Sequence, residues 1–140
     1  MRIFLDANIL VSVLNKEYPL FTYSARILSL ADNRKFKVYT SPICLAIAFY
    51  FAEKKCGSTM AKSKIELLVS KLIIAEVGKN EVLQSLQNKM VNDFEDGIEY
   101  YAAVGAKCDV IITEDIEDFY FSAIPVFNSK AFMEKHLLTS

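Results

Sequence analysis

The residues able to do chemistry are mostly acids, and they are unevenly placed. Residues 93–118 hold nine of the 17 Asp and Glu: Asp93, Glu95, Asp96, Glu99, Asp109, Glu114, Asp115, Glu117 and Asp118, against Lys107 alone. Residues 1–92 carry thirteen Lys and Arg against seven acids, so the net charge of −1 conceals one strongly acidic segment. Carboxylates this dense either form a solvated face or repel one another until a cation joins them. Another acid, Asp6, directly follows the apolar run Ile3-Phe4-Leu5. Other catalytic chemistries are poorly supplied. The single histidine is His136, and Cys44, Cys56 and Cys108 form no CxxC spacing. This argues against a zinc site of His and Cys, and against Ser-His-Asp or Cys-His catalysis. An odd cysteine count without CxxC suits reduced thiols in a cytoplasmic protein. Any metal is expected to be a hard cation held by carboxylates.

The elements that must position these acids can be read from the pattern. The 140 residues are 53% hydrophobic and 24% charged, which suits one globular domain over residues 1–140 and excludes a largely disordered chain. Asp6 interrupts the apolar core a signal peptide would need, so no secretory leader is expected. The longest apolar run, Pro42 to Ala52, is eleven residues, where a membrane span needs about 20. It is expected to be buried on all sides, in the core or partly at a subunit interface.

Arg2–Leu5 reads as a buried strand, and residues 7–15 and 20–32 as helices. Residues 36–40 alternate as a strand, and Ser41-Pro42 opens a helix that Gly57 can end. Ser58 or Thr59 caps a helix to about Ser70. Residues 72–75 form a short strand, and Asn80 caps a helix to about Lys89. Asn92-Asp93 opens a helix with its apolar stripe at Phe94, Ile98, Tyr101, Ala102 and Gly105. Residues 109–113 are a buried strand and residues 125–127 a short last one. Asn128 or Ser129 caps a final helix to about Leu138. Strands alternating with helices define an α/β class with a mostly parallel sheet of about five strands.

Sites in such sheets lie beyond the carboxyl ends of the strands. Asp6 ends the first strand, and Asp115 lies just past the strand ending at Thr113. Asp6 doubles as a helix cap, a role compatible with metal ligation. Asp93 and Asp96 share one side of a helix's first turn, where the macrodipole also favours acids. Asp96 sits about 200° around from Phe94 and Ile98, so it is expected to face a cleft instead of the core.

Three segments resemble the PIN-domain family, including VapC-like toxin ribonucleases and relatives with a DFED-type helix start. They are Phe4-Leu5-Asp6-Ala7-Asn8-Ile9-Leu10, Asp93-Phe94-Glu95-Asp96-Gly97-Ile98-Glu99-Tyr100, and Ile111-Ile112-Thr113-Glu114-Asp115-Ile116-Glu117-Asp118-Phe119, followed by Ile124-Pro125-Val126. Their order and spacing cover nearly the whole chain. The resemblance implies a three-layer α/β/α fold and a carboxylate cleft that binds Mg²⁺ or Mn²⁺. It implies Asp6, Asp96 and Asp115 as catalytic residues and metal ligands, with Asp118 as a further ligand. Asn8, Thr113 and Asp93 would support the site. DFED-type relatives often carry Arg-Asn where this chain has Glu114-Asp115.

One departure stands out. Many members place a glutamate in the helix after the second strand, where this chain has Ala46 or Ile47. Glu53 lies nearly two turns further on. The activity implied is metal-dependent hydrolysis of RNA, with RNA and an antitoxin as partners and a homodimer as the assembly. Arg34, Lys35, Lys37, Lys54, Lys55, Lys62 and Lys64 are candidates to hold the RNA backbone. The alternative is a catalytically weakened RNA- or protein-binding module on the same fold. A phosphotransfer domain with Asp6 as nucleophile ranks below both, because Asn8 stands where that pattern wants a second Asp.

Overall fold

The computed structural model describes residues 1–137. Strand β1 (Arg2–Leu5) leads into α1 (Ala7–Leu14), then α2 (Leu20–Leu28), which tightens into a 3-10 turn at Ser29–Asp32. Next come β2 (Lys37–Thr40), α3 (Pro42–Cys56), α4 (Ser58–Lys71), β3 (Ile73–Ile74), α5 (Lys79–Gln87) and α6 (Phe94–Gly105). The chain closes with β4 (Val110–Ile112), a 3-10 turn at Ile116–Phe119, β5 (Val126–Phe127) and α7 (Ser129–His136). Leu138, taken from the sequence as the end of the last helix, lies outside the described residues.

The strands run β3-β2-β1-β4-β5, and every pairing is parallel. Among the described residues, seven helices complete a three-layer α/β/α arrangement. β1 and β4 are buried on both faces, as parallel strands covered by helices must be. The strand order reverses between β1 and β4. That is the point where an open α/β sheet forms a crevice at its carboxyl end.

Several local expectations shift. Gly57, at φ +83°, ends α3 and immediately begins α4, so neither Ser58 nor Thr59 is a cap. Glycine accepts that backbone without a Cβ penalty. Helix α5 is capped by Gly78 instead of Asn80, with Glu81 Oε1 accepting from the Gly78 backbone N–H at 2.7 Å. Helix α3 is not buried all round. Its small residues Cys44, Ala48 and Ala52 face inward at a four-residue spacing, while Tyr50 and Phe51 stay 51% and 45% exposed. Small inward side chains let α3 approach α1 closely, and the large ones then have nowhere to go but out.

Helix α6 also turns differently. Its buried face is Gly97, Ile98, Glu99, Tyr100, Ala102 and Ala103, and Phe94 is exposed. The inward face therefore carries a carboxyl, Glu99. Gly97 permits this close seat, since a Cβ there would lie 2.7 Å from Val91 Cγ1 and 3.1 Å from Ser85 Cβ.

Candidate functional site: a carboxylate cleft at the switch point

A cleft of about 460 Å³ opens at the carboxyl ends of β1 and β4. Asp6, Asn8, Asp93, Asp96, Asp115 and Asp118 all line it, together with Glu17, Glu95, Ile47 and Phe51. Each acid arrives by a different local device. Asp6 is the residue after β1, and its backbone N–H donates to Ile112 O at 3.0 Å, extending the β1–β4 ladder by one bond. Its extended backbone makes it the N-cap of α1. Its Oδ1 accepts from the Ala7 N–H at 2.6 Å and its Oδ2 from the Thr113 hydroxyl at 2.7 Å. Asp6 is only 8% exposed, so both bonds hold one orientation.

Thr113 and Asn8 join the strand ends. Thr113 Oγ1 gives its proton to Asp6 and accepts from the Asp115 N–H at 3.0 Å and from Asn8 Nδ2 at 3.1 Å. Asn8 Nδ2 also reaches Asp115 Oδ2 at 3.2 Å, and Asn8 Oδ1 accepts from the Glu114 N–H at 3.1 Å. One amide and one hydroxyl thus fix the distance between the acids of β1 and β4. Glu114 points away: its Oε1 accepts from the Ser129 N–H at 3.0 Å, at the start of α7. Asp115 points into the cleft.

Asp93 caps α6 by accepting from the Asp96 N–H at 3.1 Å. That bond sets the first turn and leaves the Asp96 side chain toward the cleft. Asp118 comes from the 3-10 turn after β4. Ile47, not the exposed Ala46, faces the cleft, so the position of the missing glutamate forms an apolar patch on the wall.

The cleft acids pay for their proximity. Asp96 is raised to about 7, first by partial burial and then by Asp93, Asp118, Asp6 and Glu95. Burial and neighbouring acids also raise Glu95 and Asp118. No Lys or Arg is among the described residues that line the cleft. Oxygen donors from several elements, with no basic partner, fit a divalent cation.

Sequence reasoning missed Glu99 and Cys44. Glu99 stands one turn after Asp96, is 1% exposed, and interacts with Asp6 and Cys44 through its carboxyl. Burial, followed by the Asp6 charge, pushes it up to about 11. The Asp96–Glu99 spacing was the available signal, since residues three apart share a helix side. For Cys44 the sequence carried no signal, because its approach to α6 is tertiary. Of the basic candidates, Arg34, Lys35 and Lys37 lie at the wrong end. Arg34 and Lys35 precede β2, and Lys37, its first residue, pairs in register with Arg2 at the amino end of the sheet.

Residues 2–117 match the family described as PIN domain, and the chain belongs to that family. No curated protein sequence matches it. Among solved structures, the chain is similar to VapBC2 from Rickettsia felis bound to a promoter DNA fragment. The identity is 20%, covering 91% of this chain and 98% of that one, with a TM-score of 0.69. VapBC-1 from nontypeable Haemophilus influenzae is 17% identical over 93% of this chain and 99% of that one, TM-score 0.68. The sarcin–ricin loop cleaving toxin VapC20 of Mycobacterium tuberculosis is 14% identical over 84% and 95%, TM-score 0.65. Likeness at these identities establishes the fold. Among the described residues, no helix is long and apolar enough to cross a membrane.

Proposed function

We propose that the chain is a metal-dependent ribonuclease that hydrolyses RNA phosphodiester bonds, with Asp6, Asp96 and Asp115 as its catalytic carboxylates and Asp118 as a further ligand. The observation that carries this reading is the convergence of those four acids on one cleft without a basic partner. Mg²⁺ or Mn²⁺, when bound, neutralises phosphate charge and lowers the pKa of a water for in-line attack. The protein's own part is positioning. Asp6 is held by Ala7 and Thr113, and Asp115 by Asn8. Asp93 supports the turn that presents Asp96. Asp96, raised to about 7, would hold a bound cation as a carboxylate, giving up any proton it carries near neutral pH.

Ile47 and Phe51 form the cleft's apolar wall, suited to pack against a sugar or a base. Lys54 lies 4.3 Å above the Tyr50 ring, about one turn from Phe51, where it can meet RNA phosphate. The Lys55 and Lys64 amines already donate to the Asn15 and Leu14 carbonyls.

The same proposal takes residues 1–140 as one domain acting in the cytoplasm, as the toxin subunit of a toxin–antitoxin pair and as a homodimer. The VapBC relatives are complexes of that kind, which supports an antitoxin partner. A second reading, a catalytically weakened RNA- or protein-binding module, is favoured by Ile47 on the cleft wall. Incubating purified chain with RNA and Mn²⁺ separates the two. The nuclease reading expects cleavage that Asp6→Asn abolishes with the fold intact. Retained RNA binding with no cleavage by either protein supports the binding module.

A further inference from the structure

Under the floor of the cleft, three side chains meet that the open cleft does not use together. Asp6 comes from the end of β1, Cys44 from the first turn of α3 and Glu99 from the inward face of α6. One ligand atom from each lies within 4.8 Å of the other two, and all three residues are buried. A second observation points to a missing ligand. Glu99 is 1% exposed, yet its Oε2 has no hydrogen-bond partner. A buried polar atom without a partner is costly enough to need an explanation.

We propose that Asp6, Cys44 and Glu99 form a second cation site, taking a borderline divalent ion such as Zn²⁺ or Co²⁺ in preference to Mg²⁺. The donor set is two carboxylate oxygens and one sulfur. Mg²⁺ demands oxygen donors and octahedral geometry, whereas Zn²⁺ and Co²⁺ accept thiolate in a small tetrahedral site. A tetrahedral ion spaces such donors roughly 3.5 Å apart, inside the 4.8 Å limit that this cluster meets. A fourth position would be open to water from the cleft, because Asp6 borders both spaces.

The surroundings are built to orient the three donors, as outer partners of metal ligands are. Asp6 is held by Ala7 and Thr113. The Cys44 backbone N–H donates to the Ser41 hydroxyl at 3.2 Å, which fixes the first turn of α3. The inference goes beyond the nuclease reading and does not depend on it, although the two share Asp6.

The test is a Co²⁺ titration of the reduced full-length chain, read by near-ultraviolet absorption, where thiolate-to-cobalt charge transfer appears. The expected result is a charge-transfer band saturating at one equivalent, surviving about a hundredfold excess of Mg²⁺. Cys44→Ser is expected to remove it, and Cys56→Ser or Cys108→Ser to leave it intact. Glu99→Gln, which keeps the side chain's size and shape but removes the carboxylate, is expected to weaken Co²⁺ binding at least about tenfold. Co²⁺ binding to wild type without the band overturns the proposal, as does a band that persists in folded Cys44→Ser. The readout uses no RNA, so a band without RNA cleavage sinks the nuclease reading alone, and cleavage without a band sinks this one alone.

Discussion

The open cleft and the layer beneath it hold similar acids under opposite conditions. Asp96, Asp115 and Asp118 sit at element starts and open on the cleft, where a bound cation would relieve their crowding. Glu99 lies only one turn below Asp96, yet it is buried, as Ile98, Tyr100 and Ala102 of the same helix are, and burial first of all raises it to about 11. The difference shows that the position of a carboxyl along one helix decides its charge. The first turn gives it solvent and a favourable dipole end, and the second gives it neither. Asp6 belongs to both regions, which makes it the most sensitive position in the molecule.

That sensitivity sets the largest expected effect. Asp6→Asn keeps the shape and the Ala7 bond but removes the charge, and Mn²⁺-stimulated RNA cleavage should fall by more than about 100-fold, a loss at least as large as outer partners of a metal cause. Cleavage assays of the two purified proteins check this, and equal rates would break the nuclease reading.

Ile47→Glu tests the apolar wall. A carboxylate there joins a repelling cluster, so the metal-free protein should lose about 1–3 kcal/mol. Mn²⁺ should recover much of that loss, because an ion that binds only the folded state stabilises it by mass action. Thermal melts with and without Mn²⁺ measure both, and an equal loss in the two conditions would mean that position 47 does not reach the ion.

Gly97→Ala tests the seat of α6. The new Cβ meets Val91 and Ser85, so an overpacking cost of about 1–3 kcal/mol is expected in denaturant unfolding, with no dependence on Mn²⁺.

A smaller effect concerns pH. Asp96 is raised from 3.8 to about 7 in the fold, so the folded state binds more protons than the unfolded state between those values. Stability of the metal-free protein should therefore fall as pH rises from about 4 to 7. Glu99 extends the fall toward about 11. Melting temperatures across this range should decline, and Asp96→Asn should make the lower part less steep, the Glu99 contribution remaining. A rise instead would mean that these acids are ionised comfortably in the fold. The smallest effect is expected from Glu99→Gln, which should change stability at pH 7 by less than about 1 kcal/mol, because the glutamate is already neutral there.

Much of this arrangement was legible in the residues. Asp6, Asp96 and Asp115 each stand at a boundary that sequence can mark: a strand end, a capped helix start and a turn after a buried strand. The parallel sheet followed from strands alternating with helices. The strand order did not, because pairing between β1 and β4 depends on contacts more than a hundred residues apart. Glu99 was passed over because an acid in the middle of an amphipathic helix reads as solvated. Only the close packing of α6, permitted by Gly97, turns it inward. The eleven-residue apolar run of α3 hid its own orientation, since periodicity cannot distinguish Cys44, Ala48 and Ala52 from the larger residues between them except by size.

The central claim is that the cleft acids jointly hold a divalent cation, and Mn²⁺ binding to wild type and Asp96→Asn tests it most directly. Asp96 lines the cleft but is not one of the three residues proposed as the buried site. Free Mn²⁺, followed by electron paramagnetic resonance during titration, reports occupancy without RNA or turnover. The account predicts saturable binding by wild type and at least about tenfold weaker binding by Asp96→Asn. Equal affinity in the two proteins, or no saturable binding by wild type, would contradict it.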